Sequence, residues 1–317
     1  MRQTPLMRRR HEPVLARFCV FLAVLSGLPG CGSDQEIGMI EQEQQLRPVI
    51  QRVNENSAAM NFLLRGLQGS ASGKYLKASG KLESFSMTAK LLYRNPRDLF
   101  LKLEHTLGGD MEIGSNEREF WVWNKIDEDR YWWGLHENLG PTEQANLPIR
   151  PDHIVEVLGL GGIPSEFQPG QEPDFRVLPD RYELRFKGGS STGGEQVEKV
   201  LFIDRRPPYL IRQLQYLRPG GSVALDAKLS DYQVVEGSSV RAPHKIEMFW
   251  PHRGERMELE FGRMDRYDMS EAATRFRSPL QRGLDVGEQI RVDRPRGVSR
   301  AGSGPVHTLL QKPAVRP

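Results

Sequence analysis

Gly189-Ser190-Ser191-Thr192-Gly193 spells G-x-S-x-G, the pattern in which a serine at a sharp strand-to-helix turn becomes a hydrolase nucleophile. The residues on either side, Arg181 to Lys187 and Val197 to Asp204, read as two strands. The segment is therefore expected to be a hairpin loop, and a serine hydrolase using Ser190 or Ser191 is the least favoured function. Gly69 to Lys74 has the glycine and lysine of a phosphate loop, but Gln68 stands where the first glycine belongs and Tyr75 where Ser or Thr would bind magnesium. The histidines, among them His105, His136, His153, His244 and His252, show no H-E-x-x-H or comparable paired spacing. Structural or solvated roles are expected for them, with no metal site and no cofactor. The chain is thus read as non-catalytic.

Cys31 is the residue with the clearest chemical reading. A basic start is followed by an apolar run from Phe18 to Leu28, shorter than the ~20 residues that span a bilayer, as in an export signal. The run ends in Leu28-Pro29-Gly30-Cys31, which resembles the lipobox of bacterial lipoproteins, with Pro29 in place of the usual Ala, Ser or Thr. That resemblance implies cleavage before Cys31, a diacylglycerol on its sulfur and a fatty acyl group such as palmitate on its amine. An ordinary secretory signal cut after Gly32, with Gly30 and Gly32 as its small residues, or a chance cysteine, is the alternative. Gly32 rather than Asp after the cysteine implies, by the enterobacterial sorting pattern, the outer membrane. The Arg8-Arg9-Arg10 run lacks the rest of a twin-arginine motif.

The elements that carry these residues follow from composition and periodicity. The 317-residue chain has a formal net charge of +3. Its first thirty residues hold Arg2, Arg8, Arg9, Arg10 and Arg17 against Glu12, so a chain beginning at Cys31 carries −1. Such a mature chain, with interspersed charges, argues against a nucleic-acid partner, which needs clustered cations. Cys19 and Cys31 are the only cysteines, so the core must hold the body together without disulfides. Residues 1–30 read as signal, 31–45 as a polar tether without fixed structure, 46–294 as one folded domain, and 295–317 as a disordered tail rich in Arg, Gly, Ser and Pro. Leu46, Val49, Ile50, Val53, Ser57, Met60 and Leu64 recur at spacings of three and four, which predicts an amphipathic helix ending near Phe62.

Strands are expected at Leu67 to Ser72 and Tyr75 to Leu82, then through an alternating run from Ser84 to Trp133. In that run Phe85, Met87, Ala89, Leu91 and Tyr93 share one face. Trp121 and Trp123 lie opposite Phe120 and Val122, so both faces of that strand are apolar and the sheet is expected to be covered on both sides there. Pro151 to Leu158 predicts a short apolar helix with Pro151 at its first position and Gly159 just past its end, plugging an opening in the sheet. A second strand series follows from Phe175 to Met264.

Further local text carries a second resemblance. Val200-Leu201-Phe202-Ile203-Asp204, then Pro208-Tyr209-Leu210-Ile211-Arg212, then Gly220 and Gly221, and later Ala242-Pro243-His244-Lys245-Ile246, are similar to passages of the LolA/LolB group of lipoprotein carriers and receptors. The similarity covers about residues 46 to 294. It implies a mainly β fold with some α, a half-open antiparallel β-barrel covered by the N-terminal helix and the short apolar helix, with a concave face that holds acyl chains. The expected partners are then lipid or lipoprotein acyl chains and, through the anchor, a membrane of the bacterial envelope. Phe85, Met87, Trp121, Trp123 and Trp133 are candidate groove-lining residues, a core role being the alternative for each. An anchored interaction or sensor module, with a protein segment in the groove, is the second reading of the same fold. Neither the family's functional arginine nor its membrane-inserting loop maps onto a residue here.

Overall fold

In the computed structural model of the protein, the residues described are 34–77, 80–126, 129–138, 150–189, 195–268 and 274–293. The signal segment, Cys31, Ser190, Ser191 and the tail from 295 lie outside them. Helix α1 (Asp34–Ala59) leads into β1 (Leu63–Leu76), β2 (Leu82–Arg94), β3 (Asp98–Glu104), β4 (Asp110–Ser115), β5 (Glu119–Asn124) and β6 (Arg130–Leu135). Then come α2 (Pro151–Val157), β7 (Asp174–Val177), β8 (Arg181–Gly189), β9 (Glu195–Asp204), β10 (Ile211–Leu217), β11 (Val223–Val234), β12 (Arg241–Trp250), β13 (Glu255–Tyr267) and β14 (Glu288–Arg291).

All fourteen strands of the described residues form one sheet in the order β14-β6-β5-β4-β3-β2-β1-β13-β12-β11-β10-β9-β8-β7. The sheet curls without closing, and its free edges are β14 and β7. This is the half-open antiparallel architecture that the LolA/LolB resemblance implied. Period-2 alternation makes it work, because each register row places apolar side chains on the same face of successive strands. Leu91, Leu101, Ile113 and Val122 are register partners across β2 to β5 and are all buried. On the other flank one row runs through Phe175, Leu184, Leu201, Leu214, Ala227, Met248, Met257 and Gly73 to Phe85.

The helices fill the concave side. Val49, Ile50, Val53 and Met60 of the α1 region join the same core as those rows. Pro151 at the first position starts α2 without costing a hydrogen bond, and the helix buries Ile154, Val155 and Val157. It touches β4 and β5 on one flank and β11 on the other, so it plugs the concavity as its composition predicted. Asn56 ties the end of α1 to the start of β12, its Nδ2 donating to the Arg241 carbonyl at 3.0 Å and its Oδ1 accepting from the Arg241 N–H at 2.9 Å.

Three features differ from the sequence reading. Helix α1 begins at Asp34, inside the stretch expected to be an unstructured tether, and ends at Ala59 rather than near Phe62. The two strands expected at 67–72 and 75–82 are one strand, β1, with a register shift between Gly66 and Gly69. Its glycines permit close strand contact: a Cβ at Gly73 would lie 2.0 Å from the Arg256 carbonyl oxygen. Finally, residues 274–293, which the sequence pattern left without an element, strap across the convex face and end in β14, the parallel partner of β6.

That strap explains why β5 is apolar on both sides. Phe120 and Val122 face the concave core. Trp121, Trp123, Trp133, Tyr131 and Val286 form a separate cluster, and Leu63, Phe100 and Phe276 another. Gly114, the register partner of Trp121, leaves room for the indole, since a Cβ there would come within 2.0 Å of the ring. The indole N–H of Trp121 donates to Glu112 Oε1 at 2.9 Å. Arg282 of the strap pairs with the same carboxylate.

Candidate functional site

The mouth of the half-barrel lies where the β1–β2, β3–β4, β5–β6 and β12–β13 turns gather, at the end away from Asn56 and Arg241. Alternation brings Tyr75, Phe85, Met87, Leu103, Met111 and Met257 to the concave face there, with Ile126 and Trp250 at the edge of the opening. Tyr75 and Phe85 meet edge to face, with ring centroids 6.2 Å apart at 61°. Flexible methionines suit an apolar lining that must adapt to its occupant. Glu255, itself buried, borders the opening, and its Oε1 takes two partners. It accepts from the Leu76 N–H at 2.9 Å and pairs with Arg253 at 2.7 Å.

The opening holds about 110 Å³, well below the ~300–1,000 Å³ of a site that encloses a drug-sized ligand. The rest of the concavity is occupied by α1, α2 and the core rows. Such a mouth can seat the end or the first few carbons of a hydrocarbon chain, each buried methylene contributing about 0.8 kcal/mol.

Of the five residues picked as groove lining, the structure brings two together: Phe85 and Met87 both line the mouth. Trp121, Trp123 and Trp133 do not. Their register places them on the convex face, where the strap and β6 cover them, and their role there is packing and capping. Trp123 Nε1 donates to Asp129 Oδ1 at 2.6 Å, Lys125 Nζ lies 3.6 Å from the Trp123 ring centroid, and the Arg291 guanidinium lies 4.8 Å from that of Trp133. The shared face of the tryptophans was legible from alternation; which face is concave was not.

Sequence reasoning missed the rim. Leu107, at the tip of the β3–β4 hairpin, is 91% exposed, and Leu82 and Leu76 in the neighbouring β1–β2 hairpin are 41% and 37% exposed. Lys77 and Lys81 lie in the β1–β2 turn, Lys125 in the β5–β6 turn and Arg253 in the β12–β13 turn, with Lys77 paired to Glu83, Lys125 to Asp110 and Arg253 to Glu255. Turn residues obey no periodic pattern, so nothing in the sequence singled out Leu107.

Deeper in, the plug carries polar groups. His153 stacks on Tyr216 with centroids 3.8 Å apart and planes at 16°. Burial holds the His153 imidazole down to about 4, against the opposing pull of Asp152, so it is neutral at ordinary pH. The Tyr216 hydroxyl is pushed well above its usual range by burial first and Glu156 second. Lys199 Nζ reaches Glu156 Oε2 at 2.9 Å, and Arg150 reaches Asp152 at 2.6 Å. The first pair ties α2 to β9, and the second is local to the start of the helix.

The catalytic look-alike finds no support in its surroundings. Gly189 and Glu195 are register partners of an antiparallel pair, so residues 190–194 link two strands and not a strand and a helix. Among the described residues no group of three or more His, Cys, Asp or Glu is placed to hold a metal ion, and no helix is long and apolar enough to cross a membrane.

No protein-family model and no curated protein matches the chain. Solved structures similar in shape include a DUF1329 family protein from Desulfovibrio piger, at 11% identity over 76% of this chain and 99% of that one, with a TM-score of 0.45. A domain described as an outer membrane lipoprotein-sorting protein from Vibrio parahaemolyticus is also 11% identical, over 73% of this chain and 97% of its own, with a TM-score of 0.44. A LolA superfamily protein from Nitrosomonas europaea gives 11%, 73%, 98% and 0.42 for the same measures.

Proposed function

We propose that this protein is a non-catalytic, lipid-anchored protein of the bacterial envelope that takes lipid or lipoprotein acyl chains into the mouth of its half-barrel. The observation that carries this reading is an apolar opening at one end of the sheet, ringed by exposed leucines and cations. Leucines on a hairpin tip enter the headgroup region of a bilayer, while lysines and arginines remain with the phosphates. The rim then faces the membrane, and the mouth opens where acyl chains are.

Leu107→Asp replaces the most exposed of these side chains in a turn and should leave stability within about 0.5 kcal/mol of wild type, as surface changes do. Association with vesicles containing phosphatidylglycerol should nevertheless fall several-fold in a flotation assay. Unchanged flotation would remove the rim from membrane contact. An apolar fluorescent fatty-acid analogue should bind the wild-type protein and be displaced by unlabelled lipid. A protein that binds no such probe would turn the reading to an interaction or sensor module, with a protein segment at the mouth.

Anchoring rests on Cys31 and the lipobox resemblance. Cys31→Ser should abolish incorporation of radiolabelled palmitate and leave an uncut or wrongly cut precursor. Equal labelling of the two proteins would rule out the anchor. Fractionation with the inner membrane would reject the outer-membrane placement.

A further inference from the structure

We propose that the mouth selects an amphiphile with an anionic headgroup, held by Lys74 and Arg256, whose hydrocarbon chain enters the apolar opening. The proposal rests on the acyl-binding reading above and names the class of lipid. Lys74 and Arg256 are register partners on β1 and β13, one residue away from the Gly73–Met257 pair on the concave row. They point to the outer face beside the mouth, and both border it. They also line an adjoining groove of about 640 Å³ on that outer face, together with Lys228, the half-exposed Phe249 and the carboxylates Asp226, Glu247 and Glu258. Lys74, Phe85, Arg256 and Met257 border both spaces, which places the two cations where the groove adjoins the mouth.

Two like charges directly opposite on adjacent strands destabilise a sheet, and ordinarily a neighbouring acid compensates them. Here none does. Among the described residues, neither the Lys74 nor the Arg256 side chain has an ion-pair or hydrogen-bond partner, whereas the carboxylates nearby are already engaged. Glu255 serves Arg253 and the Leu76 N–H. Glu247 and Glu258 share Lys245 at 3.4 and 3.0 Å. Asp226 accepts from Gln213 and Gln215 at 2.6 and 3.1 Å. Two adjacent cations without a direct ion-pair partner, at the lip of an apolar opening, are complementary to a headgroup anion followed by a chain. The flexible ammonium supplies a point charge and the guanidinium a planar fork. Because apolar surface adjoins the pair, the ligand is a lipid and not a free inorganic anion.

The test compares laurate with 1-dodecanol, which has the same chain length and no charge, and with inorganic phosphate, which has charge and no chain. Each is titrated below its micellar concentration against the bound fluorescent probe on the mature protein. Laurate should bind at least about tenfold more tightly than dodecanol, the scale of a charge-assisted hydrogen bond, and phosphate should not displace the probe. Lys74→Gln combined with Arg256→Gln should abolish the preference for laurate while leaving dodecanol binding unchanged. Because the substitutions relieve a repulsion, the melting temperature should not fall, which separates this role from a structural one. Equal affinity of wild type for laurate and dodecanol, a preference that survives in the double variant, or displacement by phosphate alone would each overturn the anionic site and leave the acyl mouth standing. Binding of neither amphiphile would overturn both.

Discussion

Replacing Arg282 by alanine should lower the free energy of unfolding by about 3–5 kcal/mol, the scale seen when one partner of a buried ion pair is removed. The Arg282 and Glu112 side chains are only 17% and 6% exposed, and Glu112 lies beneath the strap among Trp121, Trp123 and Tyr131. Without the guanidinium, its carboxylate would remain buried with the Trp121 indole N–H as its chief partner. Removing both charges should be far milder. Glu112→Leu with Arg282→Leu leaves no stranded charge, and such paired replacements are often neutral or stabilising. Equilibrium urea unfolding of wild type, single and double variants decides the matter. A single variant within about 0.5 kcal/mol of wild type would mean that the strap is not fastened by this pair, and its hold would then fall to Phe276, Val286 and the β14–β6 pairing.

The strap was also the part of the fold least legible from sequence, for a physical reason. Strands that bury one face announce themselves by alternation, and the run from Ser84 to Trp133 and the series from Phe175 to Met264 cover β2 to β6 and β7 to β13. The strap binds through isolated anchors, Phe276, Arg282 and Val286, spaced without a period because they fit hollows on a surface built by other strands. Alternation likewise grouped Phe85 with Met87, and Trp121 with Trp123, without saying which group looks inward; that depends on how the whole sheet curls. In β1 the division into two strands at 67–72 and 75–82 missed that Gly73 continues one strand, because a sequence does not show how closely a neighbouring strand must approach. Lys74 and Arg256 belong to strands at opposite ends of the chain, and only the β1–β13 pairing brings them together. The short helix at Pro151 was legible because all its signals agree: proline at the start, glycine past the end, and an apolar side chain at nearly every turn.

That helix is also where stability and binding should be opposed. Ile154 and Leu158 are each 1% exposed, and α2 spans the concavity between β4 and β5 on one side and β11 on the other. Ile154→Ala or Leu158→Ala should each cost about 2–5 kcal/mol in the ligand-free protein, the range for truncating a buried aliphatic side chain and leaving a cavity. If the helix merely completes the core, nothing further follows, and an apolar ligand should raise the melting temperature of the variant by no more than it does for wild type. If α2 instead occupies space that an acyl chain can enter, truncation enlarges that space deeper in the concavity, beyond the residues that line the 110 Å³ mouth. The chain can then bury more methylenes, and its affinity rises. Since a ligand stabilises the folded state by RT ln(1 + [L]/Kd), or about 2.7 kcal/mol at a hundredfold excess over Kd, the two cases separate in a thermal titration with 1-dodecanol. The acyl-binding reading expects a larger ligand-induced rise in the truncated proteins than in wild type, partly restoring what the mutation removed. An equal or smaller rise, in variants shown by circular dichroism to be folded, would make α2 a permanent part of the core and confine any ligand to the rim.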